Sequence, residues 1–202
     1  MTYIKMCGLS QECDVQAVNE IKPEYIGFVF WGKSKRYIPP EKAFELKKLL
    51  DKNIKAVGVF VDENIEKIAE LLENDIIDIA QLHGNEDDDY IKNLRELTDK
   101  PVIQAFRIRS ADDIQKAAES TADMILLDAG MGDGKIFDWS LIKEIKRPYF
   151  LAGGLNCENI AEAVKTLQPY AVDVSSGIET DGLKNMKKMA EFSAIVRKED
   201  ES

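Results

Sequence analysis

A thiol and a carboxyl group stand where proton chemistry is easiest to place. Cys7 closes one short apolar run and Asp128 closes another, far along the chain. Side chains of these two types give up and take protons with ordinary pKa values near 8.5 and 3.9. Other polar residues stand at the ends of similar runs. Arg36 follows the second run, Gln81 and His83 end the fourth, Arg107 follows the fifth, and Asp173 lies within the eighth. A planar guanidinium binds a carboxylate through two parallel hydrogen bonds. Gly153-Gly154 follow the seventh run, and Ser175-Ser176-Gly177 follow the eighth. Glycines bring backbone N–H groups close to an anion, and a serine adds a hydroxyl. Alone, Gly153-Gly154 reads equally well as a tight turn; with Ser176 and Gly177 one unit later it reads as a phosphate cradle. His83 has a second reading as a hydrogen-bonded structural residue, and Trp31 either lines a pocket or shields it.

The elements that position these groups follow from the apolar pattern. Short runs rich in Val, Ile, Leu and aromatics cover residues 3–7, 25–30, 56–61, 77–82, 102–106, 124–127, 149–152 and 171–174. Each reads as a buried parallel strand. Between them, residues 41–50, 65–72, 159–167 and 186–196 repeat apolar positions at helical spacing, and 139–145 reads as a short helix. Asp62 or Glu63, Ser110, Asp138 and Asn156 stand where N-caps belong, and Pro39-Pro40 suits a first helical turn. Alternating strands and helices predict a parallel sheet covered by helices, and eight such units predict a single compact (β/α)8 TIM barrel spanning residues 1–202. The charged tail, 198–202, is expected to fray. In this fold the active site lies where strands end, which is where the polar residues gather. Strand alternation points Tyr3, Lys5 and Cys7 inward together, likewise Met124, Leu126 and Asp128, and likewise Ala171, Asp173 and Ser175. Lys5, Gln81, Gln104 and Asp173 are then expected to make a polar barrel mouth. The glycine-rich stretch 128–135 reads as a lid or as a plain connection, and the acidic run 86–89 as a solvated helix start.

Composition narrows the partners. The net charge of −10 argues against nucleic acid, whose phosphates need clustered Lys and Arg. It also means that an anionic substrate needs a local site to overcome the global field. No apolar run has the roughly 20 residues that span a bilayer, and no signal-peptide pattern opens the chain, so the expectation is a cytoplasmic protein without a membrane partner. Three cysteines and one histidine make neither a disulfide framework nor a zinc site. Cys13 and Cys157 read as small buried hydrophobes.

The motifs in order resemble the phosphoribosylanthranilate isomerases. The resemblance rests on Ile4-Lys5-Met6-Cys7-Gly8-Leu9, Gly27-Phe28-Val29-Phe30 with Lys33-Ser34-Lys35-Arg36-Tyr37, Val57-Gly58-Val59-Phe60-Val61, and Gln81-Leu82-His83-Gly84. It continues through Asp128 with Gly132, Gly134 and Phe137-Asp138-Trp139, then Leu151-Ala152-Gly153-Gly154-Leu155, and Val172-Asp173-Val174-Ser175-Ser176-Gly177-Ile178-Glu179. Lys35, Asp133 and Gly182-Leu183-Lys184 depart from the family pattern. The resemblance implies an enzyme of tryptophan biosynthesis that performs an Amadori rearrangement on a phosphorylated aminosugar. It implies Cys7 as general base, Asp128 as general acid, Arg36 on the anthranilate carboxylate, and Gln81, His83 and Asp173 as further substrate contacts. Gly153, Gly154, Ser176 and Gly177 would hold the phosphate. No cofactor and no metal are expected, and the chain is expected to act as a monomer or homodimer. A carboxyl at its ordinary pKa is protonated about once in a thousand molecules at pH 7, so the donor role calls for burial or a neighbouring carboxylate.

Competing readings leave other marks. A ribulose-phosphate epimerase needs several metal-binding His and Asp residues, and one histidine is too few. The aminoaldose isomerase of histidine biosynthesis calls for Asp where Cys7 stands. A ligand-binding module with a decayed site would not keep both proton carriers.

Overall fold

The structure, a computed structural model, describes residues 1–128, 142 and 145–201. Strands β1 (Tyr3–Cys7), β2 (Tyr25–Val29), β3 (Lys55–Phe60), β4 (Ile79–Leu82), β5 (Val102–Arg107), β6 (Met124–Asp128), β7 (Tyr149–Ala152) and β8 (Ala171–Val174) pair in chain order. All pairings are parallel, and β8 closes on β1 with Lys5 opposite Asp173. The expected (β/α)8 barrel is therefore present. Helices α1 (Glu12–Ile21), α2 (Pro40–Leu49), α3 (Ile65–Glu73), α4 (Asp88–Arg95), α5 (Ala111–Glu119), α6 (Ile160–Leu167) and α7 (Met186–Asp200) connect or follow the strands. A small hairpin, β9 (Glu179–Thr180) with β10 (Leu183–Lys184), stands between β8 and α7. The stretch 129–135, Asp138, Trp139 and most of 139–145 lie outside the described residues.

Two apolar layers follow from strand alternation. Ile4, Met6, Ile26, Phe28, Leu127 and Val172 face outward and pack against the helices. Val57, Ile79, Ile103, Leu126, Phe150 and Ala171 fill the interior. Tyr3, Tyr25 and Tyr170 close the N-terminal end around Phe150 in edge-to-face contacts. Cys7, Val29 and Val59 form the last interior group toward the opposite end.

Several expectations are corrected. Gln104 faces outward, because Ile103 and Ala105 occupy the interior positions of β5; its amide donates to Glu86 O at 2.7 Å. β4 begins at Ile79, since Asp78 is spent as a bracket that accepts from Ala56 N at 2.7 Å and from Lys47. Asn64, not Asp62 or Glu63, caps α3 by accepting from Lys67 N. Asn159 is the N-cap residue of α6, while the Asn156 side chain organises the preceding turn. Ser110 caps α5 as expected, with Asp113 completing a capping box. The tail does not fray at 198: α7 runs to Asp200, whose carboxylate accepts from Thr2 N at 2.7 Å and from Thr2 Oγ1 at 3.0 Å. Arg197 adds a bond to Thr2 O and another to Glu24. Cys13 is exposed and Cys157 is only partly buried, so neither is a fully buried hydrophobe.

Glu86 departs most from its expected role. Within the acidic run, Asp87 caps α4, but Glu86 is buried. Its carboxylate accepts from Asp62 N at 2.8 Å and Gly84 N at 2.7 Å, tying the loop after β3 to the loop after β4. Removing that acceptor strands two backbone donors, each costing about 1–3 kcal/mol when buried. Glu86→Ala is expected to lower the melting temperature by about 4 °C or more, measured by thermal denaturation followed by circular dichroism.

Candidate active site

The C-terminal rim of the barrel holds a cavity of about 590 Å³. Strand ends supply its chemistry. β1 delivers Cys7, β4 delivers Gln81 with His83 just beyond, β6 delivers Asp128, and β8 delivers Asp173. The loop after β2 brings Arg36, and the loops after β7 and β8 bring Gly153, Gly154 and Ser176. Gly177 stands apart from the lining. It is bridged to Asn156 instead, which joins the two candidate phosphate loops. Gly153 and Gly154 have φ of 99° and 68°, a backbone region that favours glycine, so the chain turns there along the wall of the cavity. Trp31 is exposed and is not part of the lining.

Cys7 is buried at the floor, and Gly27 opposite it on β2 makes the space, since a Cβ there would lie 2.6 Å from Sγ. Burial pushes the thiol above its ordinary pKa, Lys5 pulls it down, Asp173 pushes it up and Lys184 pulls it down. Asp128 lies across the cavity with its Oδ2 3.4 Å from Nε2 of His83. An imidazole is thus one neighbour of this carboxyl group. Gln81 Nε2 is 3.0 Å from Nδ1 of the same ring. With that amide donating, the imidazole hydrogen sits on Nε2 and faces Asp128. Gln81 Oε1 is buried without a protein partner among the described residues and belongs to a cavity-lining side chain, which suits it to accept from a bound hydroxyl or N–H.

Arg36 is held differently from the simplest expectation. Its Nε and Nη2 already donate to Glu179 at 2.6 and 2.8 Å, so the guanidinium fork is fixed by a residue of the β9 strand. The third nitrogen, Nη1, makes no hydrogen bond among the described residues. Hydrogen bonding to Glu179 raises the Arg36 pKa further. Burial disfavours the Glu179 carboxylate, but Arg36 and Lys184 together hold it below the usual carboxylate range. Sequence reasoning missed Glu179, Lys184 and Arg109 as members of this region. Arg109, like Arg107, lines the cavity from the end of β5, and these guanidiniums supply local positive charge on a chain of net charge −10. Among the described residues, no group of three or more His, Cys, Asp or Glu is placed to hold a metal ion, and no helix is long and apolar enough to cross a membrane.

The arrangement can bind a ligand with an anion at each end and move protons between them. Comparison with known proteins gives the same direction. Residues 4–194 match the family model of N-(5'-phosphoribosyl)anthranilate (PRA) isomerase. The N-(5'-phosphoribosyl)anthranilate isomerase of Endomicrobium trichonymphae is 50% identical over 202 residues, covering 98% of this chain and 99% of that protein. The phosphoribosylanthranilate isomerase of Thermotoga maritima superposes with a TM-score of 0.90 at 35% identity, covering 98% of this chain and all of that one. A phosphoribosylanthranilate isomerase in complex with reduced 1-(o-carboxyphenylamino)-1-deoxyribulose 5-phosphate gives a TM-score of 0.88 at 35% identity, with the same coverage. Matched by the family model over residues 4–194 and by these relatives over nearly its whole length, the chain belongs to the N-(5'-phosphoribosyl)anthranilate isomerase family.

Proposed function

We propose that this chain converts N-(5-phosphoribosyl)anthranilate to 1-(2-carboxyphenylamino)-1-deoxyribulose 5-phosphate, an Amadori rearrangement in tryptophan biosynthesis, carried out in the cytoplasm by a monomer or homodimer. The observation that carries the reading is the convergence of Cys7 and Asp128 on one cavity flanked by Arg36 and by the glycine loops after β7 and β8. Asp128 protonates the furanose ring oxygen. The nitrogen lone pair then expels that oxygen from C1′, and the ring opens to a protonated Schiff base. Cys7 removes the C2′ proton, and the electrons flow through C1′ to nitrogen, giving the enolamine. Proton transfer from the C2′ hydroxyl and to C1′ completes the ketone, so no atom is gained or lost. Placing acid and base on β6 and β1 keeps them from neutralising each other.

Binding groups sit at both ends of the reacting sugar. The amides at Gly153-Gly154 and the Ser176 hydroxyl hold the phosphate without a cationic side chain. Arg36 Nη1 takes the anthranilate carboxylate while Glu179 fixes the rest of the fork. Lysine has no such fork. Arg36→Lys is therefore expected to raise KM by about 10- to 100-fold, from a charge-assisted bond of about 1.5–3 kcal/mol, with a smaller effect on kcat. Steady-state kinetics check this, and unchanged constants would remove Arg36 from the site. The activity itself is tested by incubating purified protein with freshly made phosphoribosylanthranilate and following loss of its fluorescence. Turnover is expected; binding of phosphate without turnover would refute the proposal.

A further inference from the structure

Lys5 lies two residues before Cys7 on β1, so both side chains project into the barrel. The Lys5 side chain is completely buried, and Nζ donates to Asp173 Oδ1 at 3.0 Å across the β1–β8 pair. The pair is charged where the neighbouring interior positions, Val57, Ile79, Leu126 and Phe150, are apolar. Burying two charges is expensive, and an apolar pair of similar volume commonly serves stability as well or better. Stability alone therefore does not account for the pair.

The thiol is what the pair adjoins. A second buried ammonium, Lys184, comes from the β9–β10 hairpin and donates to Ser175 O at 3.0 Å and Glu179 Oε1 at 2.7 Å. Ser175 Oγ in turn donates to Cys7 O at 3.0 Å. The charged and titratable groups around Cys7 are thus Lys5 from its own strand, Asp173 from β8, Lys184 with Glu179 from the hairpin, and Arg36 from the loop after β2. Asp128 and His83 face it across the cavity. Burial disfavours the Lys5 ammonium, but Asp173 and Cys7 outweigh burial and hold its pKa above the ordinary lysine range. The group therefore stays charged through neutral pH.

The structure assigns Lys5 as a positioning residue for the reaction: its buried ammonium, anchored on Asp173 beneath Cys7, supplies the fixed positive charge against which the thiol gives up and takes back a proton. The inference rests on the reading of Cys7 as general base. Lys5 itself transfers no proton and is unchanged over the cycle.

The test is the pH dependence of Cys7 alkylation by iodoacetamide, followed on the Cys7 peptide by mass spectrometry so that Cys13 and Cys157 do not interfere. It is paired with the pH profile of kcat/KM. In Lys5→Met the alkylation midpoint is expected to rise by about one pH unit or more, and the acid limb of kcat/KM to rise with it. In Lys5→Arg, which keeps the positive charge, the midpoint is expected to stay close to that of the parent protein. A raised midpoint in Lys5→Met with a retained one in Lys5→Arg marks a charge effect; a packing role moves both variants or neither. A folded Lys5→Met protein whose midpoint is unmoved or lowered would overturn the inference. Should Lys5→Met fail to fold, Lys5→Gln decides by the same measurement: a midpoint raised by about one pH unit supports the inference, and an unmoved or lowered one overturns it. Failure of the underlying reading looks different: Cys7→Ala that retains turnover would remove Cys7 as base whatever the alkylation shows.

Discussion

Cys7→Ala is expected to lower kcat by about 10³-fold or more while leaving the affinity for a reduced product analogue within a few-fold of the parent protein. The size follows from the role. A positioned base contributes about 10²- to 10⁴-fold, and no other side chain that lines the cavity floor on β1 can replace the thiol. The selectivity for kcat follows from geometry. In the proposed reaction the phosphate is assigned to the loops after β7 and β8 and the carboxylate to Arg36, all of which line the cavity apart from the thiol. Alanine keeps the space that Gly27 leaves and removes only Sγ, so the barrel needs no rearrangement. The pH dependence has a defined sign. A base works deprotonated, and burial holds the Cys7 thiol above its ordinary pKa in the free protein. The expected kcat/KM therefore rises with pH until that raised value is passed.

Asp128→Asn is expected to be comparably severe, about 10²- to 10⁴-fold in kcat, because ring opening fails without a proton on the leaving oxygen. The amide matches the carboxyl in shape and can still bond to His83, so loss of activity with unchanged product affinity isolates proton donation from packing. His83 stands beside that carboxyl, its Nε2 3.4 Å from Oδ2, with Gln81 Nε2 3.0 Å from the ring's Nδ1. Steady-state kinetics at saturating substrate and calorimetric titration of the product analogue separate the two quantities for both variants. A Cys7→Ala or Asp128→Asn protein with near-parental kcat would mean that the proton carriers have been misidentified.

How far these assignments are legible in the sequence depends on the range of the interaction that creates them. Strand ends are local, and a run such as Tyr3–Cys7 announces both its strand and its inward face through residue type alone. That is enough to bring Cys7, Asp128 and Asp173 to one rim once the barrel is recognised. Gln104 was misplaced because parity along β5 has to be counted from the interior residues Ile103 and Ala105, and the polar side chain suggested the mouth instead. Glu86 sits in an acidic run that resembles any solvated helix start; only the approach of the loops after β3 and β4 shows that its carboxylate serves two buried N–H groups. The Arg36–Glu179 pair joins residues 143 positions apart, and nothing local to either one specifies the other. Lys184 was hidden for the same reason, in a hairpin two residues wide on each side.

A crystal structure of this protein with reduced 1-(2-carboxyphenylamino)-1-deoxyribulose 5-phosphate tests the central claim most directly. The expected complex has the phosphate on the amides at Gly153-Gly154 and the carboxylate on Arg36. Cys7 Sγ should approach C2′ and the Asp128 carboxyl the former ring oxygen, each at about 3–3.5 Å. A ligand whose sugar carbons lie beyond reach of Cys7, or whose phosphate is held away from the β7 and β8 loops, would contradict the account.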